Sequence, residues 1–507
     1  MKRELIAELR CPYCGSRFQA SSEARGDAER IHYGLLKCRC FEFPIVDGIL
    51  LLSLAMGHGG PSESLHPYVP LQVAAIEFLG QQDVEGLLDW MRRHMPLVTE
   101  LLEGGPEQTY ITYCTRMGDI HAKHVDQYLR EVGRHEVVGY PNANEPTSRL
   151  RRLRGVLQHE LGRDLKPAAP TRSEELERLL DYYAARFYSP RVNALALRLS
   201  HLQWGRRVLS LCCGHGVFEN LLPLVGADLD IICVDGQFAN LLLTRRYNCR
   251  NGNYIVHDVQ FPLPFADGFF DGVFSSTCLP EIPAQKTFAE QAIRVTAPAG
   301  WTFFDFIWSL SAGVRRVEPL RHYRFCQNFF ERTESYIDFF QESAGDMGLV
   351  GIDVPRATAD YRDGGGWMFE RSEAEALMRS DETEISVLVV DQERFAGFVR
   401  DPQLESLDAA HLTVSPAFAF TARSGEELRF ERRPRFATAD FSMASKHFKG
   451  FSESLRLRIS ELEDPHVLFK EFCDGNLVFL PNGFDRGTVP LATLAARSLT
   501  DDRGREP

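Results

Sequence analysis

Along the chain the spacing of apolar positions changes character several times. Near the N-terminus, Phe43-Pro-Ile-Val-Asp-Gly-Ile-Leu-Leu-Leu52 is a strand and turn signal built on Asp47-Gly48. A glycine-rich break, Gly57-His-Gly-Gly60, reads as a linker. From about 66 to 200 the apolar residues recur every three or four positions, as in Leu71-Gln-Val-Ala-Ala-Ile-Glu-Phe-Leu79 and Val84-Glu-Gly-Leu-Leu-Asp-Trp-Met91, which predicts helices. Breakers at Gly104-Gly-Pro106, Pro141 and Pro167 to Pro170 divide that stretch.

From Arg207 to about 375, short apolar runs alternate with helical patterns, the signature of a parallel sheet covered on both faces. Beyond it, Ile385-Ser-Val-Leu-Val-Val390 and His411-Leu-Thr-Val-Ser-Pro-Ala-Phe-Ala-Phe420 look strand-like, and a helical segment is expected near 452 to 474. The pattern therefore divides the chain into 1–56, a helical region 57–200, a sheet domain 201–375 and a C-terminal domain 376–507, with disorder expected from about Asp501.

The length of 507 residues fits such a multi-unit chain, and the composition, 44% hydrophobic and 25% charged, is that of globular proteins. No apolar run reaches the roughly 20 residues that cross a bilayer, and the charged opening Met1-Lys-Arg-Glu-Leu-Ile-Ala-Glu-Leu-Arg10 lacks the apolar centre of a secretory signal. A cytoplasmic location is expected. In a reducing compartment, close pairs among the 12 cysteines read as metal ligands before disulfides. A net charge of −13 repels phosphate backbones, so a small or protein-bound substrate is favoured over nucleic acid.

The strongest chemistry lies at Val208-Leu-Ser-Leu-Cys-Cys-Gly-His-Gly216, a buried strand running into a glycine turn, with Val217-Phe-Glu-Asn-Leu-Leu222 as the start of a helix. Gly214 and Gly216 would let backbone approach a ligand closely, and amides at the helix start would face its anionic groups. A second strand, Ile231-Ile-Cys-Val-Asp235, ends in an acid about 20 residues after the glycines, where a carboxylate can accept both hydroxyls of a ribose. Further runs are Tyr254-Ile-Val-His-Asp258, again ending in an acid, Phe270-Asp-Gly-Val-Phe-Ser-Ser276, and Trp301-Thr-Phe-Phe-Asp-Phe-Ile-Trp308. These strand ends would converge at one carboxyl edge, where open α/β sheets bind ligands.

With Asp258-Val259, Leu263-Pro-Phe265, Phe270-Asp271, Arg294-Val295 and Pro298-Ala-Gly300 in the same order, the segment resembles the class I S-adenosylmethionine (SAM) dependent methyltransferases, within them the group acting mostly on small molecules. The resemblance implies a Rossmann-like domain whose glycine loop holds the methionine part of SAM. It places cofactor contacts at Ser210, Gly214, Gly216, Asp235, Asp258, Val259 and Ser276, with Asp235 on the ribose and Asp258 by the adenine. Two residues of the turn depart from the family: Ser210 stands where an acid is usual, and Cys212 where a first glycine is usual. Glu281 replaces the common histidine after the fourth strand and is the candidate catalytic base, with Asp305, His322 and Tyr323 behind it; a solvated or salt-bridged Glu281 is the bland alternative. Tyr182 or Tyr183 could cap the sulfonium, or simply pack a helix.

At the N-terminus, Cys11-Pro-Tyr-Cys14 and Cys38-Arg-Cys40, separated by 23 residues, can complete a tetrahedral thiolate site. Four thiolates close the coordination sphere, so such a site is structural. The spacing and Phe43-Pro-Ile-Val-Asp-Gly-Ile49 resemble the small zinc-ribbon family found as a partner of tRNA and protein methyltransferases. The gap in Cys38-Arg-Cys40 is tight for a ribbon, which leaves His32 as an alternative ligand.

The expectation is an α/β chain: a zinc ribbon, a helical segment, a SAM-binding sheet domain and an α+β C-terminal domain. It would move a methyl group to a small or carrier-bound metabolite, with residues 376–507 shaping the acceptor site or a homodimer contact. The alternatives are an RNA or protein methyltransferase, and a non-catalytic scaffold of the same fold.

Overall fold

The computed structural model describes residues 1–52, 68–95, 195, 205–221, 229–308 save 260, 280, 281, 283 and 284, 338–340, 342, 347–353, 384–391, 412–414, 418–432 save 425, and 454–479. The N-terminal segment holds helix α1 (Arg3–Glu8) and strands β1 (Gln19–Ala20), β2 (Arg25–Gly26), β3 (Ile31–Lys37), β4 (Glu42–Val46) and β5 (Ile49–Leu51). Strands β3, β4 and β5 form an antiparallel meander, and Asp47 (φ 48°) with Gly48 (φ 75°) makes the β4–β5 turn, as the Asp-Gly signal predicts.

The expected helices follow as α2 (Tyr68–Gly80) and α3 (Val84–His94), the latter capped by the Asp83 side chain accepting from the Gly86 amide at 2.8 Å. The alternating pattern that follows gives strands β6 (Arg207–Leu211), β7 (Asp230–Asp235), β8 (Asn253–Val256), β9 (Phe270–Ser276) and β10 (Thr296–Trp308). Between them lie α4 (Phe238–Leu243), continued by a wider π-helical turn over Thr244–Asn248, and α5 (Gln285–Val295). Strands β11 (Met347–Asp353) and β12 (Glu384–Asp391) complete one sheet of twelve described strands.

Its order is β1-β3-β4-β5-β8-β7-β6-β9-β10-β12-β11, with β2 beside β3. From β8 to β10 every pairing is parallel, and β12 is antiparallel to both β10 and β11. The order reverses at β6, so the carboxyl edge beside it is a topological switch point. Residues 384–391, which the pattern groups with the C-terminal stretch, are the strand between β10 and β11.

Strand β5 pairs in parallel with β8, from Ile49↔Tyr254 to Leu51↔Val256, so the N-terminal meander continues the central sheet. The junction is also polar: Lys2 pairs with Asp230 at 2.7 Å, Arg30 donates to the carbonyls of Gly252 and Asn251, and Arg245 pairs with Asp47. An edge strand that would otherwise present unpaired amides is thereby covered.

Both faces of the sheet are buried. One register row runs Ile49, Tyr254, Cys233, Ser210, Phe274, Phe303, Leu388 and packs with α2, α3 and α4. Leu211, Val234, Ile255, Phe304 and Val389 face the opposite side, against α1 and α5. Ser210 is thus a hydroxyl set among large apolar neighbours.

C-terminal to the sheet, β13 (Leu412–Val414) pairs with β17 (Leu477–Phe479), and β14 (Phe418–Ser424), β15 (Glu427–Arg432) and β16 (Ser454–Arg458) form a separate small sheet. The helix expected from 452 begins only at Pro465, as α6 (Pro465–Cys473), capped by Asp464. Residues 454–458 are a strand instead, because Leu455 and Leu457 alternate with exposed Ser454, Arg456 and Arg458. Among the described residues no helix is long and apolar enough to cross a membrane.

Candidate functional site

The carboxyl ends of β6, β7 and β9 meet at the turn Cys212 to Gly216. Cys212 (φ 55°), Gly214 (φ 55°) and Gly216 (φ 77°) all lie in the left-handed region. The two glycines serve different needs. A Cβ at Gly214 would meet nothing within 4 Å, so its backbone borders open space. A Cβ at Gly216 would lie 2.8 Å from Thr244 Cγ2 and 3.0 Å from Asn248 Cβ. Gly216 is therefore also required for packing against the π-helical turn.

Asp235, at the end of β7, fastens the turn from beside it. Its Oδ2 accepts from the Gly214 amide at 2.9 Å, and its Oδ1 from the Gln237 amide at 2.9 Å and the Asn240 side-chain amide at 3.1 Å. Burial pushes its pKa up from the ordinary aspartate value while these donors oppose the shift. An ionised carboxylate has about four acceptor positions, so a lone pair remains for a ligand hydroxyl. Thr244 and Asn248 add a second fastening, donating to the Gly214 carbonyl at 3.0 Å and the His215 carbonyl at 2.6 Å.

The other expected contacts occupy the same edge. Asp258 and the buried Val259 follow β8, and the Ser276 hydroxyl, ending β9, donates to Asp305 Oδ2 at 3.2 Å. Asp305 is 2% exposed on β10 and its carbonyl accepts from the Thr277 amide at 2.9 Å. Glu281, Tyr182, Tyr183, His322 and Tyr323 lie outside the described residues.

Two features were not read from the sequence. Cys212 and Cys278 hydrogen-bond through their thiols across the gap between the glycine turn and the loop after β9, which, with burial, raises the Cys212 pKa well above an ordinary thiol. Glu219, just past the turn, is 1% exposed, and neither carboxyl oxygen closes a hydrogen bond. Burial pushes its pKa up to about 7, partly offset by the Ser210 hydroxyl beside it. An acid amid the apolar run Val217-Phe-Glu-Asn-Leu-Leu222 was the available signal.

At the other end of the sheet the four N-terminal thiols come together, with all Sγ atoms within 4.8 Å of one another. Cys11 Sγ lies 3.6 Å and Cys38 Sγ 3.4 Å from Cys40 Sγ. Without a cation they cannot all ionise. Hydrogen bonds from Ser16 lower Cys14 to about 6, whereas burial first, and neighbouring thiols after it, push Cys11 up to about 11 and Cys40 higher. Such a cluster fits a divalent metal that would accept all four as thiolates. His32 stands apart, 3.4 Å from Asp27 Oδ2.

Residues 209–304 match the family model described as a methyltransferase domain. No curated protein matches the chain by sequence. Among solved structures, a SAM-dependent methyltransferase of Thermotoga maritima aligns over 43% of this chain and 98% of its own, at 13% identity and a TM-score of 0.29. A structure of the complex between the Haloferax volcanii Trm112 methyltransferase activator and a methyltransferase aligns over 43% and 95%, at 16% identity and 0.28. The methyltransferase domain of the citrinin polyketide synthase aligns over 61% and 69%, at 11% identity and 0.28. The match to a methyltransferase domain over 209–304 falls on the parallel strands of the Rossmann-like sheet and on the fastened glycine turn.

Proposed function

We propose that the chain methylates a small or carrier-bound metabolite, with SAM held over the turn at Cys212 to Gly216. The carrying observation is that turn: three donors lock Asp235 beside it, and the space over Gly214 is open. In this reading Gly214 and Gly216 shape the seat of the methionyl part and Asp235 accepts from the ribose. Asp258, Val259 and Ser276 border the adenine side, and Ser210 supports the turn from below.

When bound, SAM supplies an electrophilic methyl carbon that is displaced in line by the acceptor. The chain's part is alignment and exclusion of water. Glu281, by its position after the fourth strand, is assigned as the base for an acceptor that must lose a proton. The acidic balance of −13 favours a metabolite over an RNA acceptor. We assign Cys11, Cys14, Cys38 and Cys40 to one structural zinc, which the Sγ separations support.

Calorimetry of SAM with the full chain tests the reading, with Asp235→Asn as the comparison. Asn keeps the shape but weakens the acceptor for the Gly214 amide and any ribose hydroxyl, so affinity should fall roughly 10- to 100-fold. A wild-type chain that binds no SAM would refute the site, and SAM-dependent methylation confined to RNA would refute the acceptor class.

A further inference from the structure

We infer that Glu219 is a cofactor-binding residue whose carboxylate receives the α-ammonium of the methionyl part of SAM beneath the glycine turn. The inference rests on the turn being the SAM site and names the group that meets the ligand's charge there.

At neutral pH, SAM carries a sulfonium, an ammonium and a carboxylate, so its net charge is positive and a buried seat must answer it with negative charge. Among the described residues, the carboxylates buried at the turn are Asp235 and Glu219. Asp235 already accepts from three donors. Glu219 has both oxygens buried and unmet, and the Ser210 hydroxyl beside it is likewise buried without a well-formed hydrogen bond. A carboxyl in that state is costly until a cation or strong donor reaches it. Its place supports the role. Glu219 follows Gly216 by three residues and backs onto Ser210.

Other titratable groups acting on Glu219 are Asp235 on β7, Cys213 in the turn, Cys233 on β7 and Cys249 after the π-helical turn. Burial holds Cys213 up at about 12 and Cys233 well above an ordinary thiol, so both are neutral at pH 7. A hydrogen bond from Cys233 lowers Cys249, so the control must separate it from Glu219. With no ligand, burial and the Asp235 charge keep Glu219 partly protonated near neutrality. An arriving ammonium favours the ionised form, and the carboxyl proton leaves to the buffer.

Titration calorimetry at pH 7 in buffers of different ionisation enthalpy reads that proton directly. For the wild-type chain, SAM binding should release roughly half a proton. S-adenosylhomocysteine keeps the ammonium and should release the same, whereas 5′-methylthioadenosine lacks it and should release none. In Glu219→Gln the release should vanish and SAM affinity fall roughly tenfold or more. Release that persists in Glu219→Gln, undiminished affinity in that variant, or equal release with 5′-methylthioadenosine would overturn the role. SAM bound by the wild-type chain without proton release would overturn it alone, leaving the site intact; no SAM binding at all would overturn the site as well. The comparison of ligands on the wild-type chain decides the matter even if the variant fails to fold.

Discussion

Two turns in this chain carry clustered cysteines, and their surroundings give them opposite chemistry. In the N-terminal segment, Cys14 and Cys40 are exposed, and the buried Cys11 and half-buried Cys38 close the cluster to within 4.8 Å. In the glycine turn, Cys212 and Cys213 are half-buried and Cys213 lies beside Thr244 of the π-helical turn, and desolvation keeps Cys213 up at about 12. Thiols that must share a small volume near solvent are suited to a metal. Thiols among apolar side chains behave as small packing residues. Spacing along the chain already separates the two cases: Cys-x-x-Cys with Cys-x-Cys points to ligands, and adjacent cysteines on a strand end do not.

Removing the proposed zinc should produce the largest effect. The N-terminal segment shares its core with the central sheet, so Cys11→Ser, or chelation, should loosen it at a cost of several kcal/mol, below the about 10 kcal/mol that structural zinc contributes in isolated small domains. Because β5 is paired to β8, loosening of the segment uncovers the edge of the central sheet, and aggregation should accompany it. Metal analysis should find zinc in the wild-type chain and none in the variant, with a lower melting temperature. A wild-type chain free of metal and indifferent to chelator would remove the difference drawn between the two turns.

Much of the fold was legible in the sequence because it rests on local pattern. Alternation and glycine placement point to β6 through β10 and their common edge, and the Asp47-Gly48 pair points to the β4–β5 turn. What escaped depends on contacts between distant residues. Pairing of Ile49 with Tyr254 joins positions about two hundred residues apart, and a strand's own pattern does not name its neighbour. The strand at 454–458 reads as helix along the sequence because five residues are too few for period alone to decide. Glu219 escaped for the same reason as the ribbon docking: its burial is made by the sheet behind it.

A second, smaller effect belongs to the glycine turn and has no counterpart in the ribbon. Unfolded, Glu219 ionises near 4.5; folded, burial holds its proton to about 7. A carboxyl whose pKa rises on folding takes stability away as pH climbs between those values. Relative to the wild-type chain, Glu219→Gln should gain stability from about pH 4.5 upward, levelling off above 7 at a gain on the order of 3 kcal/mol. Melting temperatures across that range, without SAM, measure it. The same change should weaken SAM binding, so stability and function oppose one another at this residue. A difference between the two proteins that does not vary with pH would mean that Glu219 is charged throughout.

The smallest effect expected is at Cys212, which holds a left-handed conformation at φ 55° without being glycine. That conformation costs a side-chain-bearing residue about 1–2 kcal/mol, whereas glycine adopts it freely but gives up about 0.5–1 kcal/mol of chain entropy. Cys212→Gly also loses the partly buried thiol and its bond to Cys278. These contributions nearly cancel, so stability should change by no more than about 0.5 kcal/mol. SAM affinity should stay within a factor of about two, because the backbone of the turn is already in the glycine conformation. Calorimetry and a thermal scan of this one variant check both quantities. A much larger loss of SAM affinity would show that the thiol itself meets the ligand, and would make the buried turn, like the ribbon, a place where cysteine chemistry and not cysteine packing is selected.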